Sequence, residues 1–143
     1  MKKRRKFLMT LVVIVLLCQL IPVNRDNPSH KAEFSVSQEL QNILSRSCFD
    51  CHSHETTWPW YSRVAPVSWL IAHDVSEGRE HLNFSVWSEY SPDKQEKLRG
   101  EIWETVSEDE MPPLQYFLAH RDARLSEQDK AQIRRWTKTP SRQ

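Results

Sequence analysis

Cys48-Phe49-Asp50-Cys51-His52 is the stretch from which this chain is best read. Its pattern is C-x-x-C-H, the attachment signature of a c-type haem. Two thiols at this spacing can add to the two vinyl groups of one porphyrin. The histidine beside the second thiol then falls under the iron and can bind it through a neutral imidazole nitrogen. Other chemistries use paired cysteines. A zinc site needs four nitrogen or sulfur ligands, and no second cysteine pair exists. A thioredoxin-like dithiol sits in a βαβ context that the helical pattern of this chain lacks. With Cys18 the only other cysteine, a disulfide framework is also excluded.

An iron held by His52 has a second axial position. Met1 and Met9 lie in or before the N-terminal apolar run, so Met111 is the thioether left for that position. It stands in Glu110-Met111-Pro112-Pro113, among acids and prolines. That is not the setting of a methionine filling a gap in a core. His73 and His81 are the alternatives, and an open or water-bound iron is the third. His54 is too close to the motif to reach the opposite face.

Upstream of the motif, Val36, Leu40, Ile43 and Leu44 recur at helical spacing. Ser35 and Gln38 predict a capping box, and the helix runs directly into Cys48. Downstream, Trp58, Trp60 and Tyr61 need a large apolar partner, either the haem or the ordinary core. Tyr61, Trp60, Arg63 and Arg79 are also candidates for contacts to haem propionates. A ligating histidine donates its other N–H to a fixed acceptor, and the carbonyl of Pro59 or Pro66 is expected to serve.

Ala65-Pro66 opens a further helix with Val67, Leu70, Ile71 and Val75 on its apolar face and Gly78 as its stop. Asn83 to Trp87 reads as a loop with a short helical turn. Ser91-Pro92 caps a helix carrying Leu98, Ile102 and Val106, which Met111-Pro112-Pro113 breaks. A short helix follows, ending near His120. Ser126 caps a last helix with Ile133 and Trp136 inward. The expected class is all-α: a cytochrome c-like domain over residues 35–138, with its core centred on the ring.

The chain has 143 residues, only 2 Gly and a formal net charge of +1. The charge is uneven. Residues 1–23 hold Lys2, Lys3, Arg4, Arg5 and Lys6 and no acid, leaving 15 basic residues against 19 acidic ones in the remainder. A nucleic-acid binder would need clustered positive charge on the folded part, so that class is excluded. Phe7 to Val23 is an apolar run behind the basic cap. It reads as an uncleaved membrane anchor, a cleaved signal or, faintly, a lipoprotein signal at Cys18. The basic flank keeps the N-terminus inside and sends the rest outward, the compartment where bacterial C-x-x-C-H motifs receive haem. Residues 24–34 read as a polar tether.

Ser47-Cys48-Phe49-Asp50-Cys51-His52-Ser53, Trp58-Pro59-Trp60-Tyr61-Ser62, Ala65-Pro66-Val67-Ser68-Trp69, Gly78-Arg79-Glu80-His81-Leu82-Asn83-Phe84-Ser85 and Glu110-Met111-Pro112 together resemble the bacterial haem-binding domain family over about residues 24–138. The resemblance implies a small, single-haem protein similar to cytochrome c, membrane-tethered or exported. In it Cys48, Cys51 and His52 match the attachment positions and Met111 the Met-Pro element. The resulting expectation is one haem c per chain with His/Met ligation, transferring electrons to unidentified redox partner proteins at the outer face of the cytoplasmic membrane. The competing expectation is a haem enzyme or gas sensor with an open distal position, for which His73 or His81 would supply the acid or base.

Overall fold

The computed structural model describes residues 2–30 and 32–139. Among them are six α-helices, four 3-10 turns and no strand. The helices are α1 (Lys2–Cys18), α2 (Gln38–Ser47), α3 (Phe49–His52), α4 (Val67–His81), α5 (Pro92–Ser107) and α6 (Glu127–Thr137). The 3-10 turns span Trp60–Arg63, Phe84–Glu89, Tyr116–Leu118 and Arg121–Ala123.

Helix ends follow local chemistry. Ser37 rather than Ser35 caps α2, its hydroxyl accepting from Leu40 N–H at 3.3 Å. Ser91 caps α5, with Pro92 at the first helical position where its missing N–H is harmless. Ser126 and Asp129 form a reciprocal capping box at α6. The stop of α5 precedes Met111-Pro112-Pro113. Glu110 N–H bonds Thr105 O at 2.9 Å and Asp109 N–H bonds Val106 O at 3.4 Å, with Asp109 left-handed at φ 59°. This is a Schellman closure with Asp where Gly is usual.

Leu40, Ile43 and Leu44 of α2, Phe49, Leu82, Phe84, Trp87, then Leu98, Ile102 and Val106 of α5 and Ile133 of α6 form one buried cluster. Aromatic rings fill its centre. Phe84 stacks on Trp87 with centroids 5.9 Å apart, and Trp87 meets Trp136 at 5.4 Å. The Arg99 guanidinium sits over both indoles, at 5.7 and 5.4 Å. Helices α2 and α6 pack together, and Arg46 bonds Asp129 at 2.7 Å across that contact.

Two expectations change here. The core is centred on these rings and contains neither Cys51, His52 nor Met111. Nor does α4 bury the face expected of it. Val75 is buried, but Val67 and Leu70 are exposed, because α4 joins the domain through Val75, Ser68 and Gly78.

Residues 24–30 and 32–34 are strapped down. Arg79 donates to Asp26 O at 2.8 Å, Asn27 Oδ1 at 2.8 Å, Ser53 O at 2.7 Å and Thr56 Oγ1 at 2.7 Å. Ala32 N–H bonds Ser85 O at 2.6 Å. Phe34 meets Phe84 at 5.1 Å and Trp136 at 6.0 Å, inside the aromatic core. Further back, the Gln19 side chain donates to Ala65 O at 3.3 Å and accepts Ala65 N–H at 3.0 Å. No helix among the described residues is long and apolar enough to cross a membrane. The helical part of the apolar run, Phe7 to Cys18, extends about 18 Å at roughly 1.5 Å per residue, against a bilayer core of about 30 Å.

Candidate functional site

Cys48 ends α2 and begins α3. Its N–H closes onto Leu44 O at 2.8 Å, and its own carbonyl accepts His52 N–H at 2.9 Å. One helical turn therefore carries Cys51 and His52 directly off a kink at Cys48. Both motif cysteines are free and half-buried. Burial pushes the Cys48 thiol up to about 12 and the Cys51 thiol up to about 11, with Asp50 and Asp74 adding to the latter and Arg46 and Arg79 opposing at Cys48 and Cys51 respectively. They are neutral thiols at pH 7. A reactive dithiol or a thiolate metal site lowers these values instead. Among the described residues no group of three or more His, Cys, Asp and Glu is gathered to hold a metal ion.

His52 is oriented by α4. Its Nδ1–H donates to Gly78 O at 2.9 Å, shared with Leu82 O at 3.2 Å. This fixes the tautomer and leaves Nε2 with its lone pair for a metal. Burial holds the ring's pKa below the usual range, and the two carbonyls oppose that only in part, so the imidazole is neutral and ready to ligate. The acceptor is Gly78, not Pro59 or Pro66. Pro59 O is taken by Ser62, and Pro66 O by Trp69 N–H.

Gly78 is required by packing as well. A Cβ there would lie 2.6 Å from Cys51 O. It is no helix stop, for α4 continues to His81. From Gly78, positions Asp74, Ile71 and Val67 continue the same helical stripe away from Cys51. This stripe lies beside the motif, and Val67 and Leu70 expose apolar surface along it.

Met111 comes from the turn after α5 and is 42% exposed. Its N–H donates to Thr105 O at 3.3 Å. Beyond it, Leu114 and Leu118 are 75% and 83% exposed. The segment then returns to the motif, because Tyr116 donates to Asp50 Oδ2 at 2.7 Å. Exposed apolar side chains thus stand on α4 and on the Met111 segment, with neutral His52 and two neutral thiols on α3. A flat, largely apolar group carrying a metal fits that donor set.

The remaining candidates lie elsewhere. Trp58 Nε1–H reaches Asn27 Oδ1 at 3.3 Å, so this ring packs toward the strap. Trp60 is 77% exposed and meets Tyr61 edge-on at 5.8 Å. Tyr61 OH pairs with His120 Nε2 at 3.0 Å, and Arg63 is exposed at the end of the same turn. Arg79 commits four hydrogen bonds to the strap and the motif loop. His73 pairs with Glu77 at 3.5 Å and His81 with Glu101 at 3.3 Å, both on the surface. Both stand on α4, whose carbonyls receive the Nδ1 side of His52, so neither serves the opposite side of an iron bound at Nε2. His54 bridges His30 O at 2.6 Å and Asn83 at 2.8 Å.

Sequence reasoning missed Gly78, Asp50 and Tyr116. Gly78 had a signal: it is one of 2 glycines and lies inside an otherwise helical pattern.

An all-helical domain that orients one neutral histidine beside two free thiols has a donor set that suits a metal-porphyrin. A family model described as the haem-binding domain matches residues 13–139, and the chain belongs to that family. No curated protein and no solved structure matches it.

Proposed function

We propose that this member of the haem-binding family is a c-type cytochrome that transfers electrons. Cys48 and Cys51 would hold one haem through thioether bonds, His52 Nε2 would ligate the iron, and Met111 would ligate it from the other side. The observation that carries this reading is the His52 Nδ1–H bond to Gly78 O, which presents Nε2 beside both motif thiols. The haem, when bound, supplies one-electron redox chemistry, and two protein ligands leave no site for substrate. The protein's part is to hold the ring by its edge, fix the imidazole and shield one face. The acidic remainder of the chain favours a basic docking partner, in an encounter that weakens with salt. The basic cap and apolar run support delivery to the outer face of the cytoplasmic membrane, either with the N-terminal segment retained or after its cleavage.

The test is the optical spectrum of the haem-loaded protein and of Met111→Ala. A low-spin wild type with a weak long-wavelength thioether–ferric band, lost in the variant, is the expected result. A high-spin wild type, or a variant with an unchanged spectrum, excludes Met111 as ligand.

One observation favours a second reading. Met111 stands on a turn rather than within a helix, and a ligand presented by a turn leaves more readily, which suits a gas sensor or haem enzyme. Rapid carbon monoxide binding by the ferrous wild type would favour that function.

A further inference from the structure

The segment carrying Met111 is tied down on both flanks. Before it, Glu110 N–H and Met111 N–H both donate to Thr105 O, at 2.9 and 3.3 Å, anchoring it to the end of α5. After it, Tyr116 donates to Asp50 Oδ2 at 2.7 Å. Asp50 is the residue immediately before Cys51, inside the attachment motif. Its other oxygen accepts Thr57 N–H at 2.8 Å, so the carboxylate is held from two sides. Tyr116 also lies flat on His120, with centroids 4.2 Å apart and planes 7° from parallel. His120 in turn pairs with Tyr61 at 3.0 Å, on the turn that follows the motif loop. Pro112 and Pro113 stiffen the chain between the two anchors by fixing φ. A hydroxyl bonded to a carboxylate is a charge-assisted bond, stronger than a neutral one. Burial first, then the Asp50 carboxylate, keep the Tyr116 hydroxyl protonated well above the usual pH range.

We propose that Tyr116 is a positioning residue for the sixth iron ligand: its bond to Asp50 latches the Met111 turn to the helix that carries the haem attachment. The inference rests on Met111 as that ligand. It adds the device that keeps a thioether carried on a turn at the iron. The residue holding the Met111 turn is bonded to the attachment motif itself, so one hydrogen bond links the two segments directly.

The experiment is an imidazole titration of the full-length, haem-loaded ferric protein, since imidazole competes with a thioether for the iron. Tyr116→Phe keeps the ring and its stacking and removes the hydroxyl. It is expected to bind imidazole at least tenfold more tightly than wild type, with unchanged far-ultraviolet circular dichroism and with the thioether band intact before imidazole is added. Asp50→Asn is expected to shift affinity in the same direction, and the double variant no further than the larger single effect, as for two ends of one bond. Unchanged imidazole affinity in Tyr116→Phe overturns the latch. If the wild type has a band that Met111→Ala abolishes, that result removes the latch alone. If the wild type has no such band, the ligand assignment fails and the latch with it. Where Asp50→Asn does not mature, the Tyr116→Phe titration decides.

Discussion

A methyl group at residue 78 would meet the Cys51 carbonyl carbon and Cβ at 3.2 Å as well as its oxygen at 2.6 Å, and a backbone atom cannot swing aside. Gly78→Ala should therefore cost about 1–3 kcal/mol as an overpacking defect, despite the ~1 kcal/mol that alanine gains in helix propensity. Gly100 is the control. Nothing lies within 4 Å of a Cβ there, on the exposed side of α5. Gly100→Ala should raise stability by about 0.5–1 kcal/mol. Thermal unfolding of the two variants checks both signs, and equal shifts would refute the account of Gly78. At this scale the sequence was legible where chemistry is local. Cys48, Cys51 and His52 sit in one turn, as their spacing implies. The partner of His52 was not legible, because a carbonyl acceptor leaves no mark in residue type. The same holds for Tyr116 and Asp50, 66 residues apart, which no periodicity relates.

Helix boundaries were mostly legible, since capping is written in a few adjacent residues. Ser91-Pro92 and Ser126 stand where expected, while at α2 two serines competed and Ser37 is the cap. Ser126→Ala should destabilise by about 1 kcal/mol through the lost cap, read from chemical denaturation. Asp129 completes that box and adds a pH dependence. Burial pushes its carboxyl up, but the Ser126 hydroxyl and N–H and the Arg46 guanidinium together outweigh it and hold the pKa below the usual range. A carboxyl with a depressed folded value contributes stability that is present above its unfolded pKa of about 3.9 and is lost as pH falls through the folded one. Asp129→Asn should thus lower stability at pH 7 and flatten the loss that sets in as pH falls below about 4. A parallel loss in both proteins would show that the carboxylate is not responsible. The faces of helices were less legible than their ends. The stripe Val67, Leu70, Ile71 and Val75 is real, but periodicity says which residues share a side and not what that side meets.

For the whole molecule, the aromatic core meets the motif through Phe49 and Cys48 and not through Cys51, His52 or Met111, which changes what haem removal should do. Phe34, Phe84, Trp87 and Trp136 pack on one another without help from Cys51, His52 or Met111. Cys48→Ser/Cys51→Ser is therefore expected to retain a structured near-ultraviolet circular dichroism signal while losing thermal stability. Helical far-ultraviolet signal with a featureless near-ultraviolet spectrum would indicate a molten core and a domain that does depend on the ring. The all-α class was legible from low Gly content and 3.6-residue patterning. The position of the core was only partly legible: Trp136 was expected inward, but Phe34 hides in a polar stretch and Trp87 stands in what reads as a loop.

The strap from Gln19 to Phe34 also decides how far the domain can search. As a free coil, eleven residues between an anchored end and the domain would give a leash of about 20 Å. Bound to Arg79, Ser85 and the aromatic core at one end, and through Gln19 to Ala65 at the other, that length yields almost no reach. Anything that held α1 would therefore fix the attitude of the whole domain, with almost no swing left between the two.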